Sequence, residues 1–174
     1  MMPSLSEEQI INGCLKNDRI AQKALYDQYK TKMYTLAYRI TNNFEDANDV
    51  LQEGFLQVFE SLPSFNGESK LGTWVHTIMA RAALRKIKNR ISFDEIPETQ
   101  QAVVIDWGAE IDAQRLETAI SNLPDGYRSI FTLYEIEGFK HNEIATMLDI
   151  SVNTSKTQLF KAKRMLIAKL KIKS

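Results

Sequence analysis

From Ile20 to Leu62 the chain contains no proline and a single glycine, Gly54, and its apolar residues return every three or four positions. Such a stretch has the period of helices and few places to turn, so it commits the chain to an all-helical fold. Leu25, Tyr29, Met33, Leu36 and Ile40 mark one helix, from Ile20 to Ile40. Asn43 is placed to cap the next, which ends before Pro63. Upstream, Ser6-Glu7-Glu8-Gln9 matches a capping box opening a short helix that runs to about Lys16.

The helix after Asn43 contains "EDANDVLQEGF", residues 45–55. At 100° per residue, Phe44, Ala47, Leu51, Gly54, Phe55, Val58 and Leu62 fall on one side. Glu45, Asp49, Gln52, Glu53 and Glu60 fall on the other, and among them stands an apolar residue, Leu56. Two readings stay open from pattern alone. One is a solvated acidic face with a single exposed leucine, which is common. The other is a docking face with acids as its rim and Leu56 as its anchor.

Beyond Pro63, "SFNGESK" is a turn-rich loop, followed by a helix from about Leu71 to Arg90. Residues 91–109 carry Pro97, Gly108 and several acids without a clean period, and read as an interdomain linker. Helical signals resume near Ile111. One helix ends near Asn122, and another opens at Leu123-Pro124-Asp125 and stops at Gly138. The last two cover 140–148 and 152–171.

This final pair has helix-turn-helix form. Ile144, Ala145 and Leu148 face inward from the first helix, the turn is Asp149-Ile150-Ser151, and Ser151 is placed to cap the second helix. On that second helix Val152, Ser155, Leu159, Ala162 and Leu166 form the expected buried stripe. Asn153, Thr154, Lys156, Thr157, Phe160 and Lys161 form the expected outward face. Short polar side chains, lysines and one aromatic are what a major-groove reader carries near its N-terminus. The bland alternative is a basic, solvated helix face.

Charge sharpens the choice. The formal net charge is zero, from 22 basic and 22 acidic residues, yet the two signs are segregated. Residues 70–90 hold six Lys/Arg and no acid, 91–114 hold six Asp/Glu and no base, and 150–174 hold seven Lys/Arg and no acid. A solvated face ordinarily mixes both signs, so the blocks suggest two separate anion-binding surfaces. In the first of them, Trp74 and His76 sit beside a loop holding Phe65, Asn66 and Gly67. Aromatic and basic groups together suit unstacked single-stranded bases, although a tryptophan at that spacing is more often a core residue and such a histidine more often a surface one.

An enzyme is disfavoured. Two separated histidines, one cysteine and no glycine-rich phosphate loop leave no nucleophile–base pair to name. Asp46, Asp49 and Glu53 lack the histidine partners of a carboxylate metal site, so no metal and no cofactor is expected. The start, "MMPSLSEEQ", has neither the basic nor the apolar part of a signal peptide, and no apolar run reaches the roughly 18 residues of a membrane span. A cytoplasmic protein without membrane insertion and without a small-molecule substrate is expected.

Taken together, these segments resemble the bacterial RNA polymerase sigma factors of the extracytoplasmic-function (ECF) group over roughly Ala24 to Leu170. "EDANDVLQEGF" is similar to the family's region 2.2, and "FNGESKLGTWVHTI" to the start of its regions 2.3–2.4. "LPDGYRSIFTLYEIEGFKHNEIATMLDIS" with "NTSKTQLFKAKRML" is similar to region 4. The resemblance implies two small helical domains joined by an acidic flexible linker: sigma-2 at 1–91, linker at 92–110, sigma-4 at 111–174. It implies core RNA polymerase as a partner for Asp49, Gln52, Glu53 and Leu56. It implies recognition and melting of a promoter −10 element by Phe65, Asn66, Gly67, Trp74, Arg81, Arg85 and Lys88. Duplex −35 DNA would be read by Asn153, Thr154, Lys156, Thr157, Phe160 and Lys161. It further implies an anti-sigma factor as a partner. A helix-turn-helix regulator that does not bind polymerase is the competing expectation; it gives no role to the acidic face or to the basic helix at 70–90.

The chain departs from the family pattern at several places. Arg81 stands where Asn is usual, Asp149 where Gly is usual, and Ser155 where a β-branched apolar residue is common. Lysines at 156, 161 and 163 replace common arginines, keeping charge but losing the bidentate fork, which implies a shifted −35 preference.

Overall fold

The computed structural model describes residues 4–93, 104–107 and 111–171. They hold eight α-helices and no strand, and the chain divides into two compact units, Met1–Lys86 and Ile87–Ser174.

The first unit is built from α1 (Glu7–Leu15), α2 (Arg19–Thr41), α3 (Phe44–Ser61) and α4 (Leu71–Ile87). Each of the first three starts where a side chain satisfies an otherwise unpaired amide. Ser6 forms the full capping box with Gln9, Asp18 Oδ1 accepts from Ile20 N at 3.0 Å, and Asn43 Oδ1 accepts from Asp46 N at 2.9 Å. Between α2 and α3, Asn42 adopts the left-handed conformation (φ 52°) and ends the helix. Leu25, Met33, Leu36 and Ile40 of α2 are fully buried, together with Val50 and Val58 of α3 and Leu71, Val75 and Met79 of α4. Each such burial contributes roughly 2 kcal/mol, which sets α2–α4 as the rigid frame. Gly54 lies where an added Cβ would collide with the Met79 thioether, so the missing side chain lets α3 and α4 approach closely.

Phe44 departs from the helical-wheel expectation: it is 66% exposed rather than buried. As the first residue of α3 it stacks instead on the Tyr38 ring, centroids 4.8 Å apart.

In the second unit α5 (Ala113–Ser121), α6 (Asp125–Phe131) and α7 (His141–Leu148) all pack on α8 (Val152–Leu170). Arg128 is buried and holds the α5–α6 turn: its Nη1 donates to Leu123 O at 2.9 Å, and its Nη2 pairs with Asp125. After α6 the backbone widens into one π-turn, Thr132–Ile136, and Gly138 (φ +78°) ends it, at the position the sequence marks as the stop. Asp149, φ 54° and ψ 50°, makes the left-handed turn between α7 and α8 that glycine would make without a Cβ penalty.

Ser151 Oγ accepts from Thr154 N at 2.9 Å and opens α8. Ser151→Ala is expected to cost about 1 kcal/mol, read as a lowered thermal midpoint with helix content retained before melting.

Packing on three helices gives α8 a buried arc wider than its apolar stripe, taking in Ser155 and Gln158, both fully buried. Val152, by contrast, is exposed, being the first residue of the helix.

Most of the expected linker lies outside the described residues. Its described ends belong to the second unit. Ser92 O and the Phe93 ring flank Gly126, Ile105 is buried, and Trp107 meets Phe131 edge-on with centroids 6.2 Å apart.

Candidate nucleic-acid and protein interfaces

On α3, helical spacing sends Gln52, Glu53 and Leu56 to solvent together, and Leu56 is 62% exposed. Asp49 is on the same exposed side but already has a partner. Lys86, near the end of α4, donates to Asp49 Oδ2 at 3.0 Å and lies 4.0 Å from Asp46 Oδ1. The Asp49 hydrogen bond, helped by the charges of Asp49, Asp46 and Glu53, raises the Lys86 pKa above its ordinary value. The neighbouring Arg85 donates to Gln57 Oε1, about two turns along α3 from Asp49, at 2.9 Å. The acidic helix and the basic helix are thus adjacent, and part of each one's charge is met by the other. Sequence pattern missed this because the Lys86–Asp49 pair is separated by 37 positions.

The loop before α4 is organised by its own side chains. Asn66 Oδ1 accepts from Glu68 N at 3.1 Å, and Gly67 takes φ +75° with nothing near its absent side chain. Phe65 and Trp74 are half-buried and meet at 5.2 Å, tilted by 49°. Trp74 is therefore both a packing residue and partly accessible. Arg81 and Arg85 are exposed on α4, and Lys88 is exposed on the 3-10 turn Lys88–Arg90 that continues it. The structure gathers Phe65, Asn66, Gly67 and Trp74 at the start of α4, whereas Arg81 and Arg85 lie two to three turns farther along the helix.

On α8, Asn153 and Lys156 are exposed, while Thr154, Phe160 and Lys161 are half-buried. The Arg164 guanidinium lies over the Phe160 ring at 5.9 Å, an arginine that pattern reasoning left out. Thr157 is a correction. The wheel puts it outward, but it is 7% exposed, and its hydroxyl donates to Thr154 O at 3.0 Å. The buried arc that α8 gains by packing on α5, α6 and α7 extends to Thr157, next to buried Gln158 and Leu159.

Among the described residues no group of three or more His, Cys, Asp or Glu is arranged to hold a metal ion, and no helix is long and apolar enough to cross a membrane.

Two family models match the chain: Sigma-70 region 2 over residues 25–91, and Sigma-70, region 4 over residues 113–166. The chain is 27% identical over 186 residues to the ECF RNA polymerase sigma-E factor of Haemophilus influenzae, covering 98% of both chains. It is 27% identical over 172 residues to the ECF RNA polymerase sigma factor SigW of Bacillus subtilis, covering 90% of this chain and 92% of that one. Among solved structures, the sigma factor RpoE in complex with the anti-sigma factor NepR from Bartonella quintana shares the fold. Its TM-score is 0.57 at 19% identity, over 87% of this chain and 98% of that chain. CnrH in complex with the cytosolic domain of CnrY has a TM-score of 0.56 at 20% identity, over 93% and 95% of the two chains. With both sigma-70 regions present in order, each carrying the helices described above, this chain belongs to the ECF group of sigma factors.

Proposed function

We propose that the chain binds core RNA polymerase through the exposed side of α3, directs it to promoters and assists their melting. The observation that carries this is the pairing, in one chain, of an acidic helix bearing exposed Leu56 with two helices that concentrate basic charge. Gln52, Glu53 and Leu56 form the polymerase contact, with Asp49 at its edge. Phe65, Asn66, Gly67 and Trp74 hold bases unstacked from the −10 strand, and Arg81, Arg85 and Lys88 neutralise the adjoining phosphates. Asn153, Thr154, Lys156, Phe160 and Lys161 face the −35 duplex, and Thr157 shapes that surface from beneath. Mechanistically the protein supplies binding free energy: contacts to flipped bases and phosphates offset the lost stacking, with no covalent chemistry and no cofactor. It acts where polymerase and promoter are, in the cytoplasm. An anti-sigma factor is a further partner; the sigma factor RpoE, of like fold, is held by the anti-sigma factor NepR in its solved structure.

Run-off transcription tests the function directly. Core polymerase with this chain is expected to give a promoter-dependent transcript that core alone does not. A chain that shifts duplex DNA but neither co-purifies with core nor supports a transcript would be a plain helix-turn-helix regulator.

A further inference from the structure

One polar pair inside the helix-turn-helix has no part in the contacts proposed above. His141, the first residue of α7, has its Nδ1 2.8 Å from Ser155 Oγ on α8. Ser155 is fully buried. One face of the imidazole is covered by Tyr134 of the π-turn, whose ring stacks on it at 4.2 Å with 20° between planes. Three elements therefore meet at one half-buried ring: the π-turn by stacking, α7 by the covalent chain, α8 by a hydrogen bond. Ser155 lies one residue before Lys156 and two after Asn153, so whatever fixes Ser155 also fixes the rotation of the reading face about the α8 axis.

We propose that His141 is a positioning residue for −35 recognition: in its neutral form it locks α8 against α7 and the π-turn, and acidification releases that lock. This rests on the proposed reading of −35 DNA by α8.

Burial and the charges around the ring favour its neutral form in the docked arrangement. From α8, Lys156 and Lys163 add positive potential. From the π-turn, Glu135 adds negative potential but is itself paired with Lys163, and Tyr134 stacks as a neutral ring. On α7's own side, Glu143 is turned back to accept from Lys140 N at 2.7 Å. Burial first, then Lys156 and Lys163, push the His141 pKa below its ordinary 6.5. Unfolded or undocked, the ring would protonate at its ordinary value. The docked arrangement is therefore favoured in full above about pH 6.5, and that advantage is lost as pH falls through the lowered value. A protonated ring is held less firmly against Ser155 and Tyr134, and the contact that orients α8 is weakened.

The test uses the full chain bound to core polymerase, on promoter DNA with its −35 element intact or scrambled. The affinity ratio of the two DNAs is measured from about pH 7.5 to 5.5, around the ordinary histidine value. The ratio cancels pH effects on polymerase itself. The parent ratio is expected to hold above about pH 6.5 and to fall about three- to tenfold below it, the worth of one hydrogen-bonded contact. His141→Asn keeps a polar group near Nδ1 but cannot titrate, and its ratio should be flat across the range. Ser155→Ala should lower the ratio about threefold already at pH 7.5. Parallel curves for parent and His141→Asn would overturn the proposal, as would a parental ratio for Ser155→Ala. Helix content is followed in the same samples; its loss in step with the ratio would reduce His141 to a folding residue and also overturn it. A parent without −35 discrimination at pH 7.5 would instead sink the reading by α8, and this inference with it.

Discussion

Replacing Glu53 with Lys and Leu56 with Asp in the same chain is expected to abolish co-purification with core polymerase. Leu56 is a large apolar side chain exposed between Glu53 and Glu60 of α3, and its burial in a partner pocket would make it a hot spot. Such residues cost 2 kcal/mol or more when lost, roughly thirtyfold in affinity, and an aspartate left in an apolar socket adds its own desolvation penalty. Neither position is buried, so melting temperature and binding to −35 duplex should match the parent. Loss of all three properties would mean misfolding; retention of polymerase binding would move the contact off this face. Asp49→Lys is the poorer probe, because it would set a lysine against Lys86 and disturb the seam between α3 and α4.

The second large effect concerns salt. Lys156→Ala with Lys161→Ala should weaken binding to −35 duplex by roughly tenfold per phosphate contact at 0.1 M salt. The slope of log affinity against log salt should flatten by about 0.9 for each lost contact, close to two in total. An unchanged slope with weaker binding would instead assign these lysines to base edges. Lys161 is half-buried and Lys156 exposed, so the Lys156 single variant should show its share of the slope change without loss of stability.

Element starts were legible wherever a local rule decides them. Ser6, Asn43 and Ser151 cap α1, α3 and α8 as their neighbours in sequence suggest, because a cap needs only an amide two or three residues away. The helix-turn-helix was legible to within a residue or two at its ends for the same reason, and Asp149 sits in the left-handed turn its side chain tolerates. What escaped depends on distant partners or on helix ends. Phe44 and Val152 satisfy the helical wheel but are first residues of their helices, where the packed neighbour no longer covers them. Thr157 fails the wheel in the other direction. Periodicity also could not place Lys86 beside Asp49, or the His141 ring between Tyr134 and Ser155, because no local rule ties those positions together.

The Lys86 pair also has a kinetic consequence. Glu45, Asp46, Asp49, Glu53 and Glu60 are five carboxylates along α3, but Lys86 offsets one, so an approaching partner meets about four net charges there. Long-range attraction toward a basic surface scales with that net value and fades with ionic strength, governing how often an encounter succeeds. Leu56 carries no charge and cannot draw a partner from a distance, but once seated it must be pulled back into water before the complex parts. With the polymerase contact proposed for α3, encounter rate and residence time would fall to different side chains of one helix, and salt should slow the first while leaving the second nearly untouched.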